Sequence, residues 1–154
     1  MDFKELGISE NILDVLKSAG ITNPTPIQEE CINFIKNGKD VIGEAQTGTG
    51  KTLAFLLPIF ENISAESDFI QCLIITPTRE LAIQITDEAM KLKKAKEINI
   101  LAAYGGKDID AQIRKLKGAV HMVIATPGRL LDHLSRQTVD LKRLKIGRQD
   151  VIGF

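Results

Sequence analysis

A Gly- and Thr-rich segment followed by lysine and threonine carries the strongest chemical signal in this 154-residue sequence. It reads Ala45-Gln46-Thr47-Gly48-Thr49-Gly50-Lys51-Thr52 and lies between an apolar pair and a predicted helix. Glycines in such a loop let backbone N–H groups converge on an anion, and the following helix N-terminus adds the positive end of its dipole. The pattern predicts a phosphate loop in which Lys51 contacts the β- and γ-phosphates and Thr52 coordinates magnesium. The strict pattern has Gly at the position of Ala45, and a plain turn with a solvated lysine is the alternative interpretation.

The elements that must position this loop alternate between short apolar runs and helical stretches. Predicted strands cover residues 41–42, 73–75, 98–103 and 120–125, and the helices that follow them begin near Lys51, Arg79, Asp108 and Pro127. Four strand–helix units in succession predict a parallel sheet with helices on both faces. Pro58 falls inside the first of these helices, where its missing N–H predicts a bend or restart near Leu57.

Two helices are predicted before the first strand. Ser9 caps the first helix, which ends before Gly20, and Thr25 caps the second, which ends before Gly38. Gln28 stands three residues after Thr25, the spacing of a capping box.

Composition and charge exclude several classes of protein. With 44% hydrophobic and 26% charged residues, the chain is an ordinary globular sequence and not a disordered, collagen-like or coiled-coil one. The formal net charge is zero, but residues 1–90 carry 6 basic and 14 acidic side chains whereas residues 91–148 carry 14 basic and 5 acidic ones. Cys31 and Cys72 lie in apolar runs, which predicts buried thiols rather than a disulfide or a zinc site. With no signal peptide and no long apolar stretch, we expect no membrane association and a cytoplasmic location.

Four further segments stand in order around the loop. Residues 20–28 follow an isolated aromatic, Phe3, that lies 17 residues before Gly20; residues 77–82 read Pro-Thr-Arg-Glu-Leu-Ala, residues 105–106 are a glycine pair, and residues 126–129 read Thr-Pro-Gly-Arg. In this order and spacing they match the Q motif, motif Ia, the glycine pair and motif Ib of one family. Over about residues 1–145 the sequence resembles the N-terminal RecA-like domain of DEAD-box ATP-dependent RNA helicases.

The resemblance implies an α/β fold, a RecA-like P-loop NTPase three-layer sandwich with a mostly parallel sheet, and ATP and Mg²⁺ as cofactors. Gln28 should contact the N6 and N7 edge of adenine, with Phe3 packing nearby, because an amide offers the donor and the acceptor that this edge needs. A capping role for Gln28 is the alternative, and the two roles are compatible. The implied ATP-binding residues are Phe3, Gln28, Gln46, Thr47, Gly48, Thr49, Gly50, Lys51 and Thr52, of which Thr52 is also the magnesium ligand.

The resemblance also implies contact with the sugar–phosphate backbone of RNA, without sequence specificity. The implied RNA-binding residues are Pro77, Thr78, Arg79, Glu80, Gly105, Gly106, Thr126, Pro127, Gly128 and Arg129. Backbone contact suits these residues, because hydroxyls, N–H groups and guanidinium groups at helix N-termini serve phosphate oxygens. The basic excess after residue 90 predicts modest, salt-sensitive RNA affinity. His121 and His133 are expected at surface or hydrogen-bonded core positions, with no chemical role.

The family pattern breaks near the end of the sequence. Family members have an apolar strand ending in Asp-Glu-Ala-Asp after motif Ib, but here Asp150 stands near that place without a preceding apolar strand or a following Glu. Because the Walker B carboxylates and the second RecA-like domain of the family are missing, we expect the isolated chain to be inactive in unwinding, and whether it is itself an enzyme stays open. We expect the sheet to lack a strand at this position unless residues 144–152 or a second molecule supply one, and an unpaired apolar position favours a dimer or an exchanged segment.

The predicted organisation is one domain over residues 1–154, with Q-motif helices in 1–39, the core in 40–145 and an atypical tail in 146–154. In the full-length family a second RecA-like domain is the partner of such a domain. The alternative function is a non-catalytic module that binds RNA or a helicase and derives from a truncated or rearranged helicase. A small P-loop kinase is disfavoured, since it would have no use for the Q motif or motif Ib.

Overall fold

The computed structural model describes residues 1–39, 41, 50–145 and 150–153. Only residue 41 of the predicted strand at 41–42 is therefore described. The loop residues that lie outside the described residues are Gln46, Thr47, Gly48 and Thr49. The chain divides into two compact units. Residues 1–62 with 91–97 form the helical unit, and residues 63–90 with 98–154 form the sheet unit.

The helical unit contains α1 (Glu10–Ser18), α2 (Pro26–Lys36) and α3 (Lys51–Asn62). α1 begins after Ser9, whose N–H donates to Glu61 Oε1 at 2.8 Å, and both α1 and α2 are followed by glycines with φ of +76° and +75°. These left-handed residues stop the helices as predicted, since only glycine adopts this conformation without strain. The buried side chains of this unit include Phe3, Leu6, Ile12, Leu16, Ile32, Leu56, Leu57, Ile59 and Phe60.

Helix α3 runs unbroken through Pro58, so of the two predicted outcomes the restart near Leu57 is wrong and the bend stays a prediction. Seven consecutive residues from 54 to 60 are buried, and their packing outweighs the one backbone hydrogen bond that proline removes. Two side chains satisfy carbonyls at the C-terminal end of α3. Asn62 Nδ2 donates to the Pro58 carbonyl at 2.8 Å, and Lys96 Nζ donates to the Phe60 carbonyl and, at 3.3 Å, to that of Glu61.

The described residues of the sheet unit form four parallel strands in the order β2-β3-β1-β4. They are β1 (Cys72–Ile75), β2 (Ile100–Ala103), β3 (Met122–Ala125) and β4 (Asp150–Gly153). β3 is buried at every position, as expected for a central strand of a parallel sheet covered on both faces. Of the four predicted strands, three correspond to β1, β2 and β3, the last two with longer predicted bounds, and the parallel α/β class is confirmed.

Helices follow the first three strands at the predicted places. They are α4 (Arg79–Leu92), α5 (Ile109–Leu116) and α6 (Pro127–Ser135), and a 3-10 turn covers Lys142–Lys145. Asp108 caps α5 by accepting the Asp110 N–H at 3.0 Å, and Pro127 occupies the first turn of α6. One buried cluster of this unit contains Leu73, Leu101, Val123, Leu130, Val139 and Leu144. Among the described residues, no helix is long and apolar enough to cross a membrane.

Strand β4 settles two expectations about the tail. Residues 150–153 supply a strand beside β1, with Asp150 opposite Cys72 and Gly153 opposite Ile75. Asp150 therefore opens its strand, in keeping with the sequence, in which no apolar strand precedes Asp150. The apolar pair Val151-Ile152 follows Asp150, and residues 150–153 pair in parallel with β1.

Candidate functional site

Three of the predicted segments meet at one edge of the sheet unit. Residues 77–80, 105–106 and 126–129 follow the carboxyl ends of β1, β2 and β3. Backbone pairing continues just past the strands, because the Thr76 N–H donates to Ala125 O at 2.9 Å and the Thr126 N–H donates to Ala103 O at 3.1 Å. The parallel register therefore brings these three segments side by side. We call these segments, together with the adjacent Lys107, the strand-end face.

Two cations of the strand-end face lie against one aromatic ring. The Arg79 guanidinium carbon is 5.5 Å and Lys107 Nζ is 5.9 Å from the ring centroid of Tyr104, which is buried. Gly106 has φ +85°, and a Cβ added there would stand 2.5 Å from Arg79 Nη1. The backbone turn thus requires glycine at 106, and an added Cβ would displace the end of the exposed Arg79 side chain.

Arg129 is anchored through one nitrogen. Its Nη1 donates to the Lys107 carbonyl and to Gln112 Oε1, each at 3.2 Å. Gln112 is 4% exposed, and its Nε2 donates to the Tyr104 carbonyl at 3.3 Å. This amide therefore connects Arg129 to the strand end that precedes the glycine pair.

The N-termini of two helices open onto the strand-end face. The Thr78 hydroxyl accepts the Leu81 N–H at 3.2 Å, and the Thr78 carbonyl accepts the Thr76 hydroxyl at 3.0 Å, so the turn before α4 is held at both ends. Pro77, Thr78, Arg79, Glu80, Gly105, Gly106, Pro127 and Gly128 are exposed, whereas Thr126 and Arg129 are half-buried. Cations and helix N-termini together form a surface suited to anions.

Gln28 is the centre of the candidate site in the helical unit. It is 2% exposed, its Oε1 accepts the Thr25 N–H at 3.0 Å, and its Nε2 donates to the Gly50 carbonyl at 3.1 Å. The Gln28 half of the capping box is thereby formed. Gly50, with φ +84°, is the last residue of the predicted loop before α3 begins, so Gln28 connects the Q-motif segment to that loop. One N–H and one acceptor lone pair of the amide remain for a ligand.

The other predicted nucleotide residues occupy the start of α3 and the N-terminal segment. Lys51 and Thr52 open α3 half-buried, and no described residue forms a hydrogen bond with the Lys51 ammonium or the Thr52 hydroxyl. A hydroxyl is a hard oxygen donor that fits Mg²⁺ as one ligand, with phosphates and water as the others. Phe3 is 2% exposed, and its carbonyl accepts the Ile8 N–H at 3.1 Å. In the described part of the chain, no three His, Cys, Asp or Glu side chains cluster as metal ligands.

Both histidines are buried rather than exposed. His121 Nδ1 accepts the Asn99 N–H at 2.8 Å. His133 is 1% exposed, its Nε2 lies 2.8 Å from Gln112 Oε1 and its Nδ1 lies 2.8 Å from Thr138 Oγ1. Burial, and then the charge of Arg129, lower the pKa of His133 below its ordinary value.

Four residues of the strand-end face and its support were missed by sequence reasoning. They are Tyr104, Lys107, Gln112 and His133. Tyr104 and Lys107 flank the glycine pair, and this adjacency was a usable signal. Gln112 and His133 gave none, because the contacts that matter join residues 17 and 21 positions apart in sequence.

The parallel sheet and the segments at its carboxyl edge define a RecA-like α/β domain. The family model for the DEAD/DEAH box helicase matches residues 25–147. This chain belongs to the DEAD/DEAH box helicase family.

Individual relatives agree with that assignment. The chain is 51% identical over 145 residues to the ATP-dependent RNA helicase CshA of Limosilactobacillus reuteri, covering 94% of this chain and 29% of the relative. It is 48% identical over 143 residues to the DEAD-box ATP-dependent RNA helicase CshA of Bacillus anthracis, covering 93% and 27%. A crystal structure of a DEAD box protein from the hyperthermophile Methanococcus jannaschii matches all of this chain and 49% of that chain, with a TM-score of 0.89 and 35% identity. The chain thus spans under a third of the length of these two curated relatives.

Proposed function

We propose that the chain is the N-terminal ATP- and RNA-binding domain of an ATP-dependent RNA helicase. The observation that carries the proposal is the strand-end face, where Arg79, Lys107 and Arg129 stand beside two helix N-termini. The names of the relatives, which are ATP-dependent RNA helicases, support the same conclusion.

The strand-end face favours contact with phosphate and sugar over contact with bases. Guanidinium groups and helix N-termini bind phosphate oxygens well, and such contacts carry no sequence information. Base stacking would need an open aromatic face, but the Tyr104 ring is 6% exposed and lies against two cations. The RNA ligand is accordingly single-stranded and bound without sequence preference.

ATP is the proposed ligand of the helical unit. Lys51 would contact the β- and γ-phosphates, Thr52 would hold Mg²⁺, and Gln28 would contact adenine with the half of its amide that the fold leaves unused. In the full-length protein a second RecA-like domain would couple ATP hydrolysis to duplex unwinding. The isolated chain would bind both ligands weakly and would not unwind, and the protein would act in the cytoplasm.

Fluorescence anisotropy with a short labelled oligouridine tests the RNA half of the proposal. Arg79→Ala and Arg129→Ala should each weaken binding by about tenfold or more, the value of a lost charge-assisted hydrogen bond to phosphate. Lys142→Ala is the matched control, because Lys142 is an exposed cation near the opposite edge of the sheet. It follows Asp140, which lines a cavity together with Val120, and Val120 lies just before the start of β3. Equal affinities of all these variants and the parent chain would refute RNA binding by the face.

Binding of a fluorescent ATP analogue tests the nucleotide half. Lys51→Ala should abolish nucleotide binding and leave oligouridine binding by the chain in place, because the two ligands use different residues. RNA binding without any nucleotide binding by the parent chain would instead favour a non-catalytic RNA-binding module. RNA-stimulated ATP hydrolysis by the isolated chain would contradict its proposed inactivity.

A further inference from the structure

Arg129 is connected to a series of buried, hydrogen-bonded side chains, to which no motif assigns a role. Gln112 and His133 are 4% and 1% exposed, and they join Arg129 to Thr138 through contacts of 3.2, 2.8 and 2.8 Å. We propose that Gln112 and His133 are positioning residues that hold the Arg129 guanidinium in place for an RNA phosphate. This inference rests on the proposed RNA-binding function of the strand-end face.

The direction of each hydrogen bond in this series follows from the groups at its two ends. Gln112 Nε2 faces the Tyr104 carbonyl, which can only accept, and so Oε1 is the atom that faces Arg129 and His133. An amide oxygen accepts two hydrogen bonds, and the Arg129 nitrogen can only donate. His133 must therefore carry a proton on Nε2 in order to donate the second one.

Thr138 fixes this tautomer of His133. With Nε2 protonated, the neutral ring accepts at Nδ1, and the Thr138 hydroxyl at 2.8 Å is the donor available to it. This hydroxyl has a single proton and also lies 3.1 Å from the His133 carbonyl, so donation to the closer Nδ1 leaves that carbonyl to the Thr138 N–H. The backbone supports the same geometry, because the Thr138 N–H donates to the His133 carbonyl at 3.0 Å. Every polar atom of the His133 ring thus has a partner, which explains how the ring is tolerated at 1% exposure.

The Nε and Nη2 atoms of Arg129 are the part of its guanidinium that a ligand can contact. Both N–H groups of Nη1 are taken by Lys107 O and Gln112 Oε1, and no described residue accepts from Nη2 or Nε. These two nitrogens form one edge of the planar fork, which matches two oxygens of a phosphate. An arginine already held by its other nitrogen loses less side-chain freedom when it binds, so the buried pair should add to RNA affinity.

The experiment is oligouridine binding by the 154-residue chain and its variants. Gln112→Leu and His133→Leu should each lower affinity by about two- to tenfold, the range of one hydrogen bond. His133→Gln, whose Nε2 can donate in place of the ring nitrogen, should recover most of that loss. His121→Leu is the matched control, because it removes an equally buried histidine whose partner is the Asn99 N–H.

A double-mutant cycle separates positioning from general loss of structure. In the Arg129→Ala background, Gln112→Leu and His133→Leu should have no further effect, since the group they position is gone. Additive losses, or an equal loss in His121→Leu, would overturn the inference. Thr138→Val removes one hydroxyl at constant shape, and it replaces His133→Leu in the experiment if that variant does not fold. A loss of RNA affinity in Thr138→Val that disappears in the Arg129→Ala background supports positioning, and an unchanged RNA affinity refutes it.

The proposed function and the inference fail in different ways. If Arg129→Ala leaves RNA affinity unchanged, then RNA binding through Arg129 is wrong and the inference falls with it. If Arg129→Ala weakens binding while Gln112→Leu, His133→Leu and Thr138→Val do not, the strand-end face stands and the positioning role is refuted.

Discussion

Gly50→Ala is the substitution that most directly tests the contact between the Q-motif segment and the predicted phosphate loop. Gly50 has φ +84°, and a Cβ there would overlap Gln28 Nε2 and stand 3.1 Å from Thr25 Oγ1. Gln28 is 2% exposed and bonded at both ends of its amide, so it has little room to move. The substitution should therefore strain the backbone and break the bond from Gln28 to the Gly50 carbonyl.

The magnitude follows from two contributions. A non-glycine residue in the left-handed region costs roughly 1–2 kcal/mol, partly offset by about 0.4–1 kcal/mol because alanine has less freedom in the unfolded chain. Displacing a buried, hydrogen-bonded amide costs about 1–3 kcal/mol more. Gly38→Ala isolates the first contribution, because Gly38 has φ +75° and nothing within 4 Å of an added Cβ.

Urea unfolding at neutral pH measures both variants. We expect Gly50→Ala to lower the free energy of unfolding by about 1–3 kcal/mol more than Gly38→Ala does. In a Gln28→Ala background this excess should disappear, since the overlapping side chain is gone. An excess below about 0.5 kcal/mol, or one that persists without Gln28, would refute the reasoning.

Three further predictions concern thiols, pH and the strand-end face. Cys31 and Cys72 are buried and burial raises the pKa of the Cys31 thiol, so a thiol reagent should modify the native chain only as fast as it opens, and immediate modification would contradict this. The pKa of His133 is lowered in the folded chain, so at acid pH the unfolded chain binds a proton at this residue more readily than the folded chain does. The contribution of His133 to the free energy of unfolding should be fully present above the unfolded pKa of about 6.5 and should fall as the pH drops toward the folded pKa. Urea titrations at several pH values should show less of this loss in His133→Gln. Gly106→Ala should displace Arg79 and weaken oligouridine binding by about two- to tenfold while leaving nucleotide binding unchanged, so that unaltered RNA affinity would count against the role of the glycine pair.

Local sequence patterns predicted most helices and strands, because in these segments the pattern of nearby residues agrees with the element that forms. β1 and β3 lie in apolar runs, and α6 (Pro127–Ser135) begins at the predicted residue. The failures are long-range. β4 has only two apolar residues, and it becomes a strand through its register with β1, a contact between residues nearly eighty positions apart. Pro58 stays helical because the whole turn around it is buried.

The candidate site shows the same division between local and distant information. The segments of the strand-end face could be located from sequence, since a strand end followed by a helix start is a local pattern. The support of Arg129 could not, because a histidine without partners at useful spacing carries no signal of its own. Only the fold brings His133 within 2.8 Å of Gln112, and Gln112 in turn contacts Arg129 of the face.

Two buried amides, one in each unit, follow one physical logic. Gln28 and Gln112 are 2% and 4% exposed, and each donates to a backbone carbonyl with Nε2 while its Oε1 accepts from a neighbouring segment. Burying an amide is costly unless both ends are paired, so neither position would tolerate an apolar residue without leaving polar groups unsatisfied. A carboxylate would supply only the acceptor, and a lysine only the donor. Glutamine at both positions is thus a consequence of the contacts themselves: one joins the Q-motif helix to the end of the predicted phosphate loop, and the other joins the glycine-pair strand to Arg129.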